Sequence, residues 1–358
     1  MFSSLRIRGF RCIPEVRLDR LGRINLIAGE NNVGKTSVLE GLYLLLGHND
    51  AFKPTLLNQW RGWERVRKTN DTVTPGELWG WLFHNKDVKS SILIDTEEDK
   101  TAFQLSIRLE SRGAVAFTRE NGGAKIDEAV LTPADFESQY QLALDYNENG
   151  KRVARATTWF EDDHLKLEPA ELKQRPAVIL PSSFLNRKAD FDTFSVVMEK
   201  NREGELVDAM RVFEPRLKRI DLLTTGSSPY LATDIGDGRR IPLTLAGTGM
   251  QRFLSIMLAS MELRDGVLLI DEIENGMHHS TLNAVWEAIH AHAARHNNQV
   301  FATTHSHDCV NAAWSAFDSM AEGEFRYHRI ERNGNALRAV TLNHGELASM
   351  IMSNYEVR

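Results

Sequence analysis

Apolar and polar positions alternate along this chain with two different periods, and together the periods predict a mixed α/β protein. Residues 23–28 form a short apolar run suited to a buried strand, and residues 36–46 behind it repeat apolar side chains at helical spacing. Buried-strand runs recur at 177–180, which stops at Pro181, at 267–270 and at 299–304. Residues 253–263 read as a strong helix, and the next helix carries an apolar stripe of Leu282, Val285, Trp286, Ile289 and Ala293. That stripe leaves His290, His292 and His296 as solvated positions. Period-two alternation marks 91–97 and 101–109, where Phe103, Leu105, Ile107 and Leu109 share one face, and it resumes over 113–118 after a turn. Gly122-Gly123 and residues 147–150 are turns or loops, so this stretch predicts an antiparallel sheet. Residues 191–223 return to helical spacing, interrupted at Gly204 and Pro215, which makes a short helical lobe. There is no internal repeat and no low-complexity tract.

Composition narrows the setting without naming a partner. A chain of 358 residues with 42% hydrophobic content holds one large domain or two ordinary ones. Its net charge of -6 argues neither for nor against nucleic acid, because a local basic face can sit on a mildly acidic protein. Cys12 and Cys309 are too few for a disulfide framework or a cysteine-rich zinc site. The N-terminal residues lack an apolar signal core and no run reaches membrane-spanning length, so the expectation is a cytoplasmic protein with no membrane partner.

The chemistry begins at Gly29-Glu30-Asn31-Asn32-Val33-Gly34-Lys35-Thr36, which fits the phosphate-wrapping pattern G-x-x-x-x-G-K-[ST] between a strand and a helix. The glycines let backbone N–H groups converge on phosphates at a helix N-terminus, Lys35 reaches the terminal phosphates, and the Thr36 hydroxyl binds magnesium. A phosphate loop needs a partner carboxylate, and the run 267–270 ends in Asp271 and Glu272, a Walker B pattern. Asp271 is expected in the magnesium shell and Glu272 as the base that polarises the attacking water. About 235 residues separate Thr36 from Asp271, so a large insertion lies between them. The run 299–304 leads into His305, placed to reach a phosphate, and Gly247-Thr248-Gly249 opens a second anion-binding helix start. Two phosphate-facing helix starts suggest an ATP shared between two subunits.

The segments GENNVGKT, LAGTGMQR, LLIDEIENGMH and FATTHSH, with the Phe10-Arg11 turn near the N-terminus, resemble the ABC-type ATPases of the RecF, SMC and OLD group. The resemblance covers roughly residues 1–50 and 235–310 and is nearest to the ATPase half of OLD-like proteins. It implies an α/β P-loop NTPase of ABC-ATPase type with a mixed β core, an antiparallel β subdomain and a short helical insertion. It also implies one split domain: an N-terminal lobe 1–185, a helical insertion at about 186–230 and a C-terminal lobe 231–358. Gly29, Asn32, Gly34, Lys35, Thr36 and Ser37 become the Walker A contacts, with Arg11 a further nucleotide contact. Gly247, Thr248 and Gly249 become a signature loop acting in trans, His305 the switch histidine, and Asn275, Gly276 and His278 the D-loop region. The signature departs from the leucine-serine-glycine-glycine-glutamine of transporters, and Gln59, Gln139 and Gln141 all remain open for the Q-loop role. The implied activity is Mg-ATP hydrolysis driving a head-to-tail homodimer that controls DNA or a partner effector, in anti-phage defence or DNA repair. A slow-turnover, ATP-gated scaffold is the alternative, and a transporter subunit fits poorly.

Other clusters leave readings open. Trp60 and Trp63 interleave with Arg61, Arg65, Arg67 and Lys68, which fits either a nucleic-acid or protein contact or a solvated helix with two packed tryptophans. Arg216, Lys218 and Arg219 form a weaker basic group. His305, His307 and Asp308 have metal-ligand spacing, yet the switch-histidine role explains His305 more economically. The C-terminal acids Glu322, Glu324, Glu331, Glu346 and Glu356 contain no D-x-D pair, and about 50 residues are too few for a Toprim nuclease, so no intrinsic nuclease is expected.

Overall fold

A computed structural model describes residues 1–62, 78–112, 140–161, 164–182, 187–318 and 320–352. The expectations for residues 63–68, 113–118 and 122–123, and for Gln139 and Glu356, lie outside the described residues. From the N-terminus come β1 (Ser4–Phe10), β2 (Ile13–Leu18), β3 (Ile24–Ala28), α1 (Lys35–Leu46) and α2 (Lys53–Trp60). There follow β4 (Ile92–Glu98), β5 (Thr101–Ser111), β6 (Tyr140–Glu148), β7 (Lys151–Glu161) and β8 (His164–Glu168). The remainder opens with β9 (Ala177–Leu180), α3 (Arg187–Glu199), α4 (Glu203–Met210), β10 (Arg219–Thr225), β11 (Ser228–Asp234) and β12 (Ile241–Pro242). It ends with α5 (Thr248–Glu262), β13 (Val267–Ile270), α6 (Leu282–Arg295), β14 (Gln299–Thr303), α7 (His307–Ala316), β15 (Phe325–Asn333), β16 (Ala336–Leu342) and α8 (His344–Met352).

Contacts group these elements into two units: residues 1–4, 17–39 and 175–358 form one, and residues 5–16 and 40–174 the other. The first is built on a six-stranded sheet in the order β16-β15-β3-β14-β13-β9. From β9 to β15 every neighbouring pair is parallel, and only β16 runs antiparallel. Strands β3, β13 and β14 are buried at every position, which is why the sequence shows them as unbroken runs rather than alternating ones. The polar residue of β3, Asn25, is satisfied inside the sheet: its amide donates to the carbonyls of Gly22 (2.8 Å) and Val300 (3.2 Å), and its oxygen accepts from the Gly22 N–H (2.9 Å). Parallel register has one further consequence. The carboxyl ends of β3, β14, β13 and β9 lie side by side, so the phosphate loop, Thr303 to His305, Asp271 with Glu272, and Pro181 with Ser182 emerge along one edge.

The second unit carries a seven-stranded sheet in the order β2-β1-β4-β5-β6-β7-β8, antiparallel from β4 to β8. The alternation at 91–97 and 101–109 becomes β4 and β5, with Leu105 and Ile107 fully buried.

Three expectations need correction. Strand β9, read from its apolar run as buried, lies at the sheet edge and is only partly buried at every position. Helical spacing holds only to Met210; residues 219–223 belong to strand β10, which pairs with β11 across a tight turn at Gly226, where φ is +62°. His292 and His296 are not solvated but buried, and His290 is partly buried with Nε2 2.9 Å from a Glu324 carboxylate oxygen. The apolar stripe of α6 marks only one covered side. A second side meets Arg202 just before α4, whose guanidinium lies 3.1 Å from His296 Nε2, and Glu205 within α4, which accepts from Arg295 at 3.1 Å.

That second buried side makes stability depend on pH. The His292 imidazole is pushed down to about 4, first by burial, then by the charges of Arg295 and His296, which with Arg202 outweigh Glu205. Its Nδ1 has no hydrogen-bond partner. The folded-state pKa lies below the unfolded value near 6.5, so between those values the unfolded chain binds a proton that the folded chain refuses. Stability therefore falls as pH drops from 6.5 towards 4, by roughly 2 kcal/mol from this group. Urea midpoints measured across that window should decline less steeply in His292→Gln than in wild type.

Candidate nucleotide-binding site

The loop after β3 is held by its own backbone and its own lysine. Gly29 sits at φ +144° and Gly34 at +109°, and a Cβ at position 29 would fall 2.4 Å from the Ile330 carbonyl oxygen of β15. Asn32, at φ +62°, completes the turn in a conformation that asparagine tolerates. Lys35 is buried and its ammonium donates to the carbonyls of Gly29 (2.7 Å) and Glu30 (2.9 Å), which closes the loop on itself. Burial lowers its pKa, against the opposing pull of Glu274, Glu272 and Asp271. Ser37 is buried in the first turn of α1, where the initial N–H groups of a helix lack helical partners.

Asp271, 5% exposed at the end of β13, gathers three hydroxyls. Thr36 donates to its Oδ1 at 2.9 Å and Thr303 to the same oxygen at 2.7 Å, while Ser182 donates to Oδ2 at 3.0 Å. The next residue takes φ +48°, a left-handed conformation unusual for glutamate and of the kind found strained at working sites. This turn separates the two acids: Asp271 stays inside, whereas the Glu272 side chain is 39% exposed. The Glu272 N–H donates to Thr303 Oγ1 at 2.8 Å, which fixes the turn. His305 Nδ1 lies 3.9 Å from a Glu272 oxygen and 3.3 Å from Glu274 Oε1, and that Glu274 oxygen also accepts the His305 N–H at 3.0 Å. A threonine hydroxyl beside a carboxylate supplies the hard oxygen donors that Mg²⁺ takes, one or two from protein and the rest from phosphate and water. Among the described residues there is no group of three or more His, Cys, Asp or Glu that could hold a metal ion.

At the start of α5 the expected trio divides. Gly247 is the N-cap residue, exposed and with open space around its Cα, and Thr248 is exposed beside it. Gly249 instead is buried against its own chain: a Cβ there would lie 2.4 Å from the Gly276 carbonyl oxygen. Gly276 has φ +75°, and the two glycines allow the helix start to touch the turn that follows the Walker B strand. One turn further on, Arg252 is 4% exposed and donates to the carbonyls of Pro181 (2.7 Å), Leu180 (3.0 Å) and Asp271 (2.7 Å). One guanidinium thus ties α5 to the carboxyl ends of β9 and β13.

Arg11 belongs to the second unit, where its buried guanidinium is 2.7 Å from Glu40, a carboxylate that Arg61 also grips at 2.8 and 3.0 Å. Its φ of +51° and the bonds of its N–H to Leu82 and its carbonyl to His84 hold this turn. Gln141, one Q-loop candidate, donates to Glu110 in the same unit. Lys35, Thr36, Asp271, Glu272 and His305 are therefore together. Thr303, Ser182, Glu274 and Arg252 join them without having been singled out by the sequence, since small hydroxyl residues and one arginine inside a helix carry no pattern of their own.

Known proteins share this chain to different extents. The family model described as "AAA domain, putative AbiEii toxin, Type IV TA system" matches residues 24–308. Over 341 residues, 87% of this chain and 86% of the relative, the sequence is 26% identical to an "ATP/GTP phosphatase" of Helicobacter pylori. A shorter stretch of 57 residues, 16% of each chain, is 44% identical to the "DNA replication and repair protein RecF" of Francisella tularensis subsp. novicida. Among solved structures, an SMC head bound to the C-winged helix domain of ScpA matches with a TM-score of 0.50 at 11% identity over 96% of this chain and 97% of that one. An SMC head with an extended coiled coil, bound to the C-terminal domain of ScpA derived from Pyrococcus furiosus, gives 0.50 at 9% identity over 99% of both. The fold is that of an SMC-type P-loop ATPase head.

The arginine tie has a measurable cost of removal. Arg252→Met keeps most of the side-chain volume but leaves three strand-end carbonyls without their donor, a loss of roughly 3 kcal/mol. Thermal or urea unfolding should show that loss, whereas an unchanged midpoint would mean that water replaces the guanidinium at no cost.

Proposed function

The chain belongs to this AAA domain family, and from that premise we propose that it binds Mg-ATP, hydrolyses the terminal phosphoanhydride and uses the cycle to switch between a monomer and a head-to-tail dimer. The observation that carries the reading is the 2.9 Å bond between Thr36 and Asp271, residues 235 positions apart in sequence. It closes a phosphate loop onto a strand-end carboxylate. Bound between Thr36 and Asp271, magnesium would neutralise charge on the phosphate oxygens. Lys35 adds a cation at the loop, and the phosphates would replace the carbonyls it now holds. Glu272, exposed at the turn, accepts a proton from the attacking water, and His305 beside it stabilises the developing charge.

The dimer reading is supported by what lies open at the start of α5. Gly247 and Thr248 present a helix N-terminus outward, a ready anion site for a terminal phosphate held by another subunit. Leu245 just before them is 76% exposed, apolar surface that a second copy would cover. A relative named as an ATP/GTP phosphatase favours hydrolysis, and an SMC head bound to ScpA favours an output passed to a partner protein. DNA is the other candidate recipient, in defence or repair. No described helix is long and apolar enough to cross a membrane.

Three variants test this. Lys35→Ala removes the cation of the loop, and calorimetry should show ATP binding abolished in a folded protein. Glu272→Gln should still bind ATP while turnover falls by roughly 10²–10⁴-fold, trapping a dimer by light scattering with Mg-ATP. Wild-type turnover would remove Glu272 from the mechanism. For action in trans, Gly247→Asp is the informative change because position 247 is open, whereas a side chain at 249 would strike Gly276. Aspartate also suits an N-cap, so the fold should hold while its charge opposes the partner's phosphate by roughly several kcal/mol. In the Glu272→Gln background, loss of the ATP-induced dimer with binding intact supports the shared site, and full dimerisation rejects it.

A further inference from the structure

Asp271 has two carboxylate oxygens with different neighbours. Oδ1 takes the hydroxyls of Thr36 and Thr303, while Oδ2 takes the hydroxyl of Ser182, which follows β9 on the far side of β13. Ser182 is not a loosely placed surface serine. Its two predecessors are held by the buried Arg252, through the carbonyls of Leu180 and Pro181, and Leu180 also accepts the Asp271 N–H at 3.0 Å. Its own carbonyl accepts from the Asn275 amide at 3.3 Å. The turn is therefore fixed on both sides, with its hydroxyl aimed at a carboxylate that would hold a cation.

Taking the Mg-nucleotide site above as its basis, we infer that Ser182 is a positioning residue for the divalent cation: its hydroxyl fixes the rotation of the Asp271 carboxylate and thereby sets cation affinity. A carboxylate held at one oxygen alone can swing about its Cβ–Cγ bond. Held at both oxygens by donors from opposite neighbouring strands, it presents one orientation, and the entropy of fixing it is spent before the cation arrives. Hydroxyls that orient a ligating carboxylate act on metal affinity by about 10–100-fold. They have no comparable claim on the phosphate contacts, which lie on the loop after β3.

The test uses the full chain as wild type, Ser182→Ala and Ser182→Thr. Mn²⁺ serves as the probe, titrated into protein saturated with ADP and read by electron paramagnetic resonance of the free ion. ADP affinity is measured separately in EDTA. Ser182→Ala should weaken Mn²⁺ binding by about 10–100-fold while ADP affinity in EDTA stays at the wild-type value, and Ser182→Thr, which keeps the hydroxyl, should recover most of the loss. Wild-type Mn²⁺ affinity in Ser182→Ala overturns the inference. So does an equal loss of ADP affinity in EDTA, which would make the turn a structural support of the whole site. A wild-type chain that binds ADP in EDTA but no Mn²⁺ removes the cation site and this inference with it, leaving the phosphate loop standing. No ADP binding at all would defeat the nucleotide reading itself.

Discussion

One carboxylate organises the candidate site. Asp271 is almost fully buried at the end of a central strand, where an acid without partners would be costly, and its burial is tolerated because hydroxyls from three separate segments donate to it. Thr303 and Ser182 stand at or just beyond the carboxyl ends of parallel strands and Thr36 lies in the first turn of the helix that the loop after β3 leads into, so their meeting follows from the register of β9, β13, β14 and β3. Parallel pairing across four strands is thus the constraint beneath the chemistry. An antiparallel neighbour at any of these places would carry its hydroxyl to the opposite edge.

The helix that bears the exposed Gly247 is not independent of this edge. Its first turn touches the loop after Glu272 through two glycines, and Arg252 on its next turn bonds the backbone of Asp271 itself. The start of α5 and the strand end holding the acids are thus joined by direct contacts. The arrangement also accounts for the arginine's burial: its charge lies among carbonyls near Asp271, Glu272, Asp190 and Glu274, which oppose the cost of taking it from water.

The sequence by itself determined the buried strands β3, β13 and β14, the phosphate loop and the acids that end β13, because each is written locally, whereas β9, an equally apolar run, proved to be a partly buried edge strand. Unbroken apolar runs, glycines at fixed offsets and a carboxylate pair after a strand are all recognisable without neighbours. The antiparallel alternation of β4 and β5 was equally legible. Only the tertiary structure decided that His292 and His296 are buried, that β10 is a strand, that Arg11 is paired with Glu40 and that Gly249 turns inward to Gly276. It alone brought Ser182, Thr303 and Arg252 to Asp271. The physical reason is the same in each case: periodicity reports which side of an element is apolar, whereas the partner of a polar side chain is set by whichever distant segment packs against it. A serine after a proline, or an arginine in a helix, acquires its meaning only when sheet register brings a carboxylate or a strand-end carbonyl within hydrogen-bond distance.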